Sequence, residues 1–417
     1  MLPGTELSDL RNEISLAASS AAESELTVLH AWLVKAGLSN LPMAAILNEL
    51  CQRLNAAGLP VSRGFSSIET LHPLLRAHSA TWERGAVAES EFQHDDLRRA
   101  MWHESPFRHM IDNLVPRLDR DLTGPHAKLD YPVLQEFHDA GYTAWMALLL
   151  GIERPDATSG YDLGVICSWC TERPGGWTPA QRDAIEDISR TMALAMRSSS
   201  GFRVTRDLLA TYLGRDASNR VTAGDIRRGA VGEIEACLLY ADLRGFTDYA
   251  EATPPATVAE RLNAYLDCMG APVEARGGQI LKFLGDGLLA VFMLGHGSDK
   301  TIICGAALDA AEDALRRISE LNASAGADRI LTADIALHLG QVLYGNVGTA
   351  LRLDFTVIGP AVNEAARLEG LCRDLGTNLL ISGSFHAEAG PAQTRMKSLG
   401  QHRLRGVRDA REVFTLR

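Results

Sequence analysis

The stretch LKFLGDGLLAVF, residues 281–292, decides the fold of the second half of the chain. Two apolar runs flank a Gly-Asp-Gly segment, which is typical of a β-hairpin whose strands are joined by a tight turn. The turn explains the glycines, but an apolar hairpin has no structural need of Lys282 on one strand and Asp286 at its tip. The sequence therefore predicts a hairpin and raises the question of what its two charges do.

The segments on both sides of the hairpin follow the pattern of a single domain. From about residue 234, short apolar strands alternate with amphipathic helices, which predicts an α/β or α+β domain of roughly 180 residues. The strand EACLLYAD and the helix TVAERLNAYLDCM precede the hairpin. It is followed by the helix TIICGAALDAAEDALRRISELNA, the strand TADIALHLGQVLYGNVG, and DFTVIG leading into the helix PAVNEAARLEGLCRDLG.

Asp242 ends the first of these strands, in LLYADLRGFTDYAE, and a glycine turn and a helix follow it. A carboxylate at this place lies beside the free N–H groups of the turn and the helix start, which bind phosphate well. A carboxylate next to phosphate usually has a divalent cation between them. Taken singly, Asp242 and Asp286 also fit ordinary turn residues, so their interpretation depends on their surroundings.

Four segments together resemble the catalytic domain of the class III nucleotidyl cyclases. They are YADLRGFT, LKFLGDGLLAVF, ALHLGQVLYGNVG and DFTVIGPAVNEAARLE, in the order and with the spacing of that family. The resemblance covers about residues 234–417. It implies a ferredoxin-like α+β fold in which helices flank an antiparallel-rich sheet.

The resemblance also implies how the site handles phosphate. The expected ligands of two Mg²⁺ or Mn²⁺ ions per site are Asp242, Leu243 and Asp286. In two-metal phosphoryl chemistry one ion lowers the pKa of the ribose 3′-hydroxyl and the other neutralises the β- and γ-phosphates. The 3′-oxygen attacks the α-phosphorus and expels pyrophosphate. The backbone expected to cradle phosphate oxygens belongs to Gly245, Phe246 and Thr247.

Lys282 is the residue expected to read the base. An ammonium group only donates hydrogen bonds, so it suits the N1 acceptor of adenine, whereas guanine presents N1–H and N2–H₂ and calls for a carboxylate. The family's second base-reading position falls at Thr356, whose hydroxyl can donate or accept and so discriminates less sharply. ATP is therefore the expected substrate, and a guanylate cyclase is the alternative.

Asn363 and Arg367 lie four residues apart on one helix and so share a face. In the family the asparagine orients the ribose. The arginine stabilises charge on the α-phosphate in the transition state, a task that suits a permanently charged, planar fork of donors. Either Arg405 or Arg408 is expected to bring a cation to the terminal phosphates.

Two residues depart from the family pattern. Pro360 stands where many members have Asp, and it fits the first position of a helix. Glu364 stands where an apolar residue is usual, and it points to a different side of the helix from Asn363. Neither departure removes a residue assigned to the chemistry, so the sequence does not predict an inactive homologue.

The family assembles each site from two catalytic domains, one holding the metals and the other supplying Lys282, Thr356, Asn363 and Arg367. One such domain per chain implies a homodimer with two equivalent sites. A ligand that alters the packing of the N-terminal segments would then change how the metal-binding residues of one chain are placed against the nucleotide-binding residues of the other. The alternative from another class is a non-catalytic dimeric signalling module that keeps the fold.

Residues 26–199 are predicted to form helices, strands, a central helix, strands and a final helix. The final helix has a clear start, with Thr178 as N-cap, Pro179 in the first position and Gln181 completing a capping box. This order, and RPGGWTPAQRDAIEDISRTMALAM in particular, resembles GAF- or PAS-like α/β sensor domains. Such domains bind varied small ligands or only dimerise, so the ligand here is unknown.

The remaining segments are predicted to be connectors. Residues 1–25 are polar and rich in Ser and Ala, which indicates a loose lead-in. Residues 200–233 are charged and largely helical, and they fit either a dimer-forming linker or a plain solvated helix. The expected organisation is a lead-in, a sensor domain over 26–199, a linker, and a catalytic domain over 234–417.

The composition excludes several classes of protein. The 417-residue chain has a formal net charge of −11, which argues against a nucleic-acid binder. No basic start followed by an apolar core precedes the first helix, and TAWMALLLGI is too short to span a bilayer. Seven scattered cysteines do not form a disulfide framework. The expectation is a cytoplasmic protein without a membrane partner.

Two further groups of side chains are candidates for functional sites. Cys167 and Cys170 form a lone C-x-x-C in a strand, which favours structural cysteines, with a redox sensor as the alternative. His103, His109 and His138 are candidates to line a sensor pocket, because they fall within the predicted sensor domain.

Overall fold

A computed structural model describes residues 25–73, 75–93, 102–151, 164–295, 297–323 and 330–417. The chain forms two units, Met1–Leu208 and Leu209–Arg417. The predicted lead-in over residues 1–24 and the start of the predicted central helix, residues 95–101, lie outside the described residues.

The first unit contains a six-stranded sheet in the order β3-β2-β1-β6-β5-β4, and all its neighbouring strands are antiparallel. The strands are β1 (Arg63–Glu69), β2 (Leu75–Glu83), β3 (Ala86–Gln93), β4 (Arg117–Asp121), β5 (Ala144–Leu150) and β6 (Val165–Thr171). The apolar runs that predicted β5 and β6 form the buried centre of this sheet, so those strand predictions are confirmed.

Helices cover both faces of this sheet. They are α1 (25–38), α2 (Met43–Ala56), α3 (Pro106–Asn113), α4 (Pro132–Asp139) and α5 (Pro179–Leu213). Helices α1, α2 and α5 pack around Trp169 on one face, and α3 and α4 pack around Trp145 on the other. The unit combines helices and strands as predicted, but with antiparallel strands it is α+β rather than α/β, and its resemblance to GAF domains stays a prediction.

Helix α5 starts at the predicted capping box. The Gln181 N–H donates to Thr178 Oγ1 at 3.3 Å, and the Thr178 N–H donates to Gln181 Oε1 at 3.0 Å. The helix continues past residue 200 into the predicted linker, which was expected to be largely helical, and it runs through Gly201 to Leu213. Gly214 has φ 87°, a left-handed conformation that ends the helix.

The second unit contains a mostly antiparallel sheet in the order β13-β14-β12-β10-β7-β9-β8, with β11 paired to β10. Its strands are β7 (Val231–Leu243), β8 (Gln279–Leu284), β9 (Gly287–Met293), β10 (Ala333–Gly348), β11 (Leu353–Ile358), β12 (Leu379–Ser382), β13 (Met396–His402) and β14 (Arg411–Leu416). Only β10 and β12 run parallel among the described pairs. The predicted antiparallel-rich sheet and the β8–β9 hairpin are confirmed.

The helices of the second unit bury both faces of this sheet. They are α6 (Arg215–Thr222), α7 (Phe246–Ala252), α8 (Pro255–Ala275), α9 (Lys300–Ala323), α10 (Pro360–Glu369) and α11 (Gly383–Glu388), followed by a 3₁₀ helix (Gly390–Arg395). Alternate residues of β7 and β10 pack against α8 and α9 on one face, and α6 and α10 pack on the opposite face. Helix α10 thus lies on the sheet face toward which Asp242 points.

No helix in the described parts of the chain is both long enough and apolar enough to cross a lipid bilayer.

Candidate functional site

Asp242 and Asp286 meet at one edge of the second sheet. Strand β7 pairs with β9 as far as Ala241 opposite Leu288, so Asp242 lies beside the tip of the β8–β9 hairpin. Gly285, with φ 73°, and Asp286 form the two-residue turn of that hairpin. The two carboxyl groups lie close enough together that Asp286 acts on the protonation of Asp242.

Further carboxylates surround this pair. Burial, followed by the charge of Asp286, raises the pKa of Asp242 to about 6. Asp334 lies opposite Asp242 across the β7–β10 pairing. Burial and the charge of Asp242 also raise the pKa of Glu369, at the end of α10, to about 7. These four carboxyl groups concentrate negative charge at this edge of the sheet. The nearby guanidinium of Arg244 balances only part of that charge.

The guanidinium of Arg244 contacts Asp334 and Thr377. Its Nε donates to Asp334 Oδ2 at 3.0 Å, and a second guanidinium nitrogen also donates to the Asp334 carboxylate and to the carbonyl of Thr377. Because Arg244 follows Asp242 by two residues, this ion pair fixes the turn that leaves β7. Among the described residues, no ion pair joins a cation to Asp242 or Asp286.

The donor set fits divalent cations such as Mg²⁺ or Mn²⁺. The two neighbouring carboxylates, Asp242 and Asp286, offer hard oxygen ligands. Leu243, which follows Asp242 in the chain, offers a backbone carbonyl. A Cβ at Gly287 would lie 3.2 Å from Asp242 Oδ1, so glycine keeps the space beside this carboxylate open. No group of three or more metal-binding side chains occurs among the described residues.

The turn after Asp242 exposes the start of a helix. Gly245 has φ 74° and precedes α7, and both Gly245 and Thr247 are exposed while Phe246 packs against the core. The first N–H groups of a helix have no partner within the helix. The predicted phosphate cradle, Gly245 to Thr247, is therefore available to solvent next to the two carboxylates.

A second group of predicted residues lies on β8 and β11. Lys282 Nζ donates to Asp354 Oδ2 at 2.9 Å, which joins the two strands. Thr356 follows Asp354 by two residues and shares its side of β11. The Thr356 side chain is buried, and its hydroxyl has no hydrogen-bond partner in the described structure. A buried hydroxyl without a partner is costly, so this position suits a group that arrives with a ligand.

A third group lies on α10 and the loop before β14. Asn363 and Arg367 are both exposed, and the helix buries Ala361, Ala365 and Leu368 on its other side. A Cβ at Gly406 would lie 3.2 Å from Arg367 Nη1, so the Arg367 guanidinium rests against the loop that carries the exposed Arg405 and Arg408. The three predicted arginines therefore gather in one place.

The structure does not join these three groups within one chain. Among the described residues, no hydrogen bond or ion pair links Lys282, Asn363 or Arg367 to Asp242 or Asp286. Asp242, Asp286 and Lys282 are partly exposed and Asn363 and Arg367 are exposed, so each group can be reached by a ligand or by a second chain.

Sequence reasoning missed Asp354, Asp334 and Glu369. The position of Asp354 could have been predicted from the sequence, because it stands two residues before Thr356 on the same side of a strand and Lys282 was expected nearby. Asp334 and Glu369 had none, because only the strand register and the packing of α10 bring them to Asp242.

The two departures from the family pattern are accommodated as expected. Pro360 opens α10 after Gly359. Glu364 is partly buried and faces Arg411 on β14, with 3.6 Å between Glu364 Oε2 and Arg411 Nε. Asn363 remains on the exposed side of the helix.

The cysteine and histidine candidates do not form a shared site. Cys167 and Cys170 are buried in different cores of the first unit, and burial raises the pKa of each thiol to about 12. This favours structural roles. His103 and His109 line an open surface depression, whereas His138 contacts Asp139 outside it.

Comparisons with known proteins find relatives of the second unit. Residues 232–417 match the adenylate and guanylate cyclase catalytic domain. An adenylate cyclase of Anabaena cylindrica is 38% identical over 163 residues, which are 38% of this chain and 32% of that protein. Adenylate cyclase 1 of Rhizobium meliloti is 26% identical over 234 residues, 55% of this chain and 35% of that protein.

The matches thus span about a third of the length of these two curated relatives. Among solved structures, a bacterial light-regulated adenylyl cyclase is 29% identical, with a TM-score of 0.39 and coverage of 44% of this chain and 91% of that chain.

Proposed function

We propose that this chain, whose residues 232–417 form a class III nucleotidyl cyclase catalytic domain, is an adenylate cyclase that converts ATP to 3′,5′-cyclic AMP and pyrophosphate. The observation that carries the proposal is the close approach of the Asp242 and Asp286 carboxyl groups. They lie beside the turn at Gly245 that is proposed to bind phosphate. The names of the two relatives described above support the same activity.

The metal site follows from the acidic pair. Asp242 and Asp286, with the carbonyl of Leu243, would hold two Mg²⁺ or Mn²⁺ ions. When bound, such ions lower the pKa of the ribose 3′-hydroxyl and neutralise phosphate charge. The backbone N–H groups of Gly245, Phe246 and Thr247 orient the phosphate chain beside them.

The arginines and the asparagine act on the reacting phosphate and the ribose. Asn363 offers an amide that orients the ribose, so that its 3′-oxygen faces the α-phosphorus. Arg367 donates to the α-phosphate oxygens, on which negative charge grows as the new bond forms. Arg405 or Arg408 neutralises the departing pyrophosphate. The choice between them is left to mutagenesis.

The preference for ATP rests on Lys282. Its ammonium group can donate to adenine N1 while it keeps its bond to Asp354, because an ammonium has three donors. The Asp354 carboxylate is half exposed and can accept from the 6-amino group of adenine. Guanine offers donors at N1 and N2, so Lys282 disfavours it. Guanylate cyclase activity is the alternative.

The complete site is proposed to need two chains. The acidic pair and Lys282 are partly exposed, Arg367 is exposed, and no hydrogen bond or ion pair between described residues links the three groups within one chain. Large apolar side chains are exposed around the second group: Phe283, Leu284, Leu343, Leu353 and Ile358. A homodimer would bury this surface and form two equivalent sites.

Residues 26–199 are proposed to act as a sensor domain, and 200–233 as the connection to the catalytic domain over 234–417. Regulation would follow from a small ligand that changes how the N-terminal segments of two chains pack. A co-purifying small molecule, identified by mass spectrometry of the denatured protein, would name that ligand.

One assay tests the activity. Purified full-length protein is incubated with Mn²⁺ and either ATP or GTP, and the cyclic product is quantified. We expect cyclic AMP from ATP and much less cyclic GMP from GTP. Asp286→Ala should abolish product while circular dichroism and melting stay near wild type, and Asp267→Ala, an exposed aspartate on α8, should retain activity.

Each other outcome has a clear meaning. Product from GTP alone would establish the guanylate cyclase alternative. No product from either nucleotide in a folded dimer would favour the non-catalytic signalling module. Full activity of Asp286→Ala would refute the assignment of the metal ligands.

A further inference from the structure

A cavity of about 490 Å³ lies within the second unit, on the side of α10 opposite Asn363 and Arg367. Its floor is strand β10, and its walls are α10, the junction of β12 with α11, and strand β14. Cavities of this size are typical of small-molecule sites. None of the residues assigned above to the nucleotide or the metals lines it.

His338 projects from β10 into the floor of this cavity. Its side chain is buried, with 7% of the residue exposed, and burial lowers the pKa of its imidazole. The ring has no hydrogen-bond partner in the part of the chain that the structure describes. A neutral imidazole has one donor and one acceptor, so His338 offers a ligand both.

Glu364 and Arg411 face each other across the same cavity. Glu364 Oε2 lies 3.6 Å from Arg411 Nε, which is beyond hydrogen-bonding distance. Neither side chain makes a hydrogen bond to another described residue. A carboxylate and a guanidinium, from two different elements, therefore keep unused bonding capacity next to His338.

The remaining walls are mostly apolar. They include Pro360 and Leu368 on α10, Leu404 before β14, and Val413 on β14. An occupant must therefore combine a polar end with an apolar body. This is the usual composition of a small-ligand site, in which few polar groups fix orientation and apolar walls supply contact.

We propose that this cavity binds a small zwitterion, an α-amino acid with an apolar side chain. Its carboxylate would accept from Arg411, its ammonium would donate to Glu364 and His338, and its side chain would contact Leu368, Leu404 and Val413. A simple anion would meet the charges of Glu364 and Glu412, and a simple cation would meet Arg411. The proposal does not depend on the cyclase activity.

The test is binding of free amino acids to the full-length protein. Isothermal titration calorimetry is performed with each of the twenty standard L-amino acids as the probe. We expect saturable binding of at least one aliphatic or aromatic member at one site per chain. Its decarboxylated amine and its deaminated acid should bind at least roughly tenfold more weakly, since each lacks one charged contact.

Variants locate the site. Glu364→Gln and Arg411→Gln are each expected to weaken binding roughly tenfold or more while melting curves stay near wild type. Glu274→Gln and Arg403→Gln, exposed residues outside the cavity, serve as charge-matched controls and should bind normally. His338→Gln, which keeps a donor and an acceptor, should bind more strongly than His338→Leu.

Two results would overturn the proposal. The first is no saturable heat with any of the twenty amino acids. The second is binding that Glu364→Gln and Arg411→Gln leave unchanged, since that would place the ligand elsewhere on the molecule.

Discussion

Lys282 is held by Asp354 before any nucleotide binds, with 2.9 Å between Nζ and Oδ2. Base recognition therefore depends on a pair of residues, and a change of one member alters the other. Because Lys282 is about one-third exposed and Asp354 about one-half, their ion pair adds little to stability. Its main effect is to direct the ammonium group.

This pairing leads to a prediction about nucleotide choice. Lys282→Glu alone should lower kcat/KM for ATP at least roughly tenfold and gain little with GTP, because the new carboxylate faces Asp354. Adding Asp354→Asn should raise kcat/KM for GTP roughly tenfold above the single variant. The two values are measured with both nucleotides, and Lys397→Glu, an exposed change on β13, is the control. An unchanged ATP-to-GTP ratio would contradict the role of Lys282.

The close approach of Asp242 and Asp286 predicts that cations stabilise the fold. Two neighbouring carboxyl groups repel when ionised, and a bound cation relieves this repulsion. At about a hundred times its Kd, Mn²⁺ should stabilise the wild type by roughly 2–3 kcal/mol. Calorimetric melting with Mn²⁺ and then with excess chelator measures the effect.

Matched variants separate this effect from general ion binding. Asp242→Asn and Asp286→Asn should melt at the same temperature with and without Mn²⁺, whereas Asp267→Asn should respond like the wild type. A full Mn²⁺ shift in both Asp242→Asn and Asp286→Asn would show that the ions bind elsewhere.

At the scale of elements, α10 approaches β10 very closely. A Cβ at Gly340 would lie 2.7 Å from Ala361 Cβ and 3.0 Å from His338 Nε2, so only glycine allows this approach. Because α10 carries Asn363 and Arg367, its distance from the sheet fixes where those side chains reach.

Displacing α10 should therefore lower activity. Gly340→Val is expected to destabilise the second unit by about 1–3 kcal/mol and to lower kcat at least roughly tenfold. Gly305→Ala on α9 is the control, because a Cβ there meets no atom within 4 Å. Its activity should match the wild type. Calorimetry and the cyclase assay measure both effects, and normal kcat in Gly340→Val would disprove the positional role of α10.

Strand β4 depends on charge pairs rather than on apolar burial. Arg117 binds Asp119, Asp183 and Glu186, which tie the strand to α5. Burial alone would raise the pKa of Glu186, but hydrogen bonds from Arg117 and Arg190 outweigh it and lower this pKa. A carboxylate with a lowered pKa stabilises the fold above its unfolded pKa, near 4.5, and loses that contribution as the pH falls.

Arg117→Ala is therefore expected to cost about 2 kcal/mol at neutral pH and less in acid. The wild type should lose more stability than the variant between about pH 5 and pH 3. All six tryptophans lie in the first unit, so their fluorescence during urea unfolding reports on this unit alone. Arg108→Ala, which breaks an exposed pair, should change stability by less than about 0.5 kcal/mol. Parallel pH curves for Arg117→Ala and wild type would contradict the account.

The elements that the sequence predicted well are those with a local signal. The β8–β9 hairpin has Gly-Asp between apolar runs, and α5 has its capping box. Strand β4, with sequence RLDRD, was missed because its side chains are charged on both faces and its partners lie on α5. The helical character predicted for the segment after residue 200 agrees with α5, which continues to Leu213.

At the scale of the whole molecule, the proposed site requires two chains. The acidic pair and Arg367 would act from different protomers. Two inactive variants, each defective in one half-site, should then restore one complete site when they pair.

Mixing Asp286→Ala with Arg367→Ala is expected to recover roughly a quarter of wild-type activity, since half of the dimers are mixed and each has one intact site. The proteins are mixed, partly unfolded in urea, refolded together and assayed with ATP. Asp242→Ala mixed with Asp286→Ala should stay inactive, because both changes fall in the same half-site. Activity in neither mixture would refute the shared site.

The two units differed in how far their sequences could predict them. In the second unit, the family that the sequence resembles requires particular residue types for its chemistry. Asp242, Lys282 and Arg367 could therefore be predicted from the sequence as site residues. The cavity lined by His338, Glu364 and Arg411 could not, because its members come from three elements that only tertiary packing brings together. In the first unit the pattern of elements predicted the fold class but offered no residue set that names a ligand.

The buried hydroxyl of Thr356 lowers the stability of the protein without nucleotide, but it offers a group that can bind the nucleotide. Without nucleotide its oxygen has no partner in the described structure, so Thr356→Val would leave the resting protein about 1 kcal/mol more stable. The cost falls on the protein without ligand, and a ligand that forms a hydrogen bond with this hydroxyl would recover it.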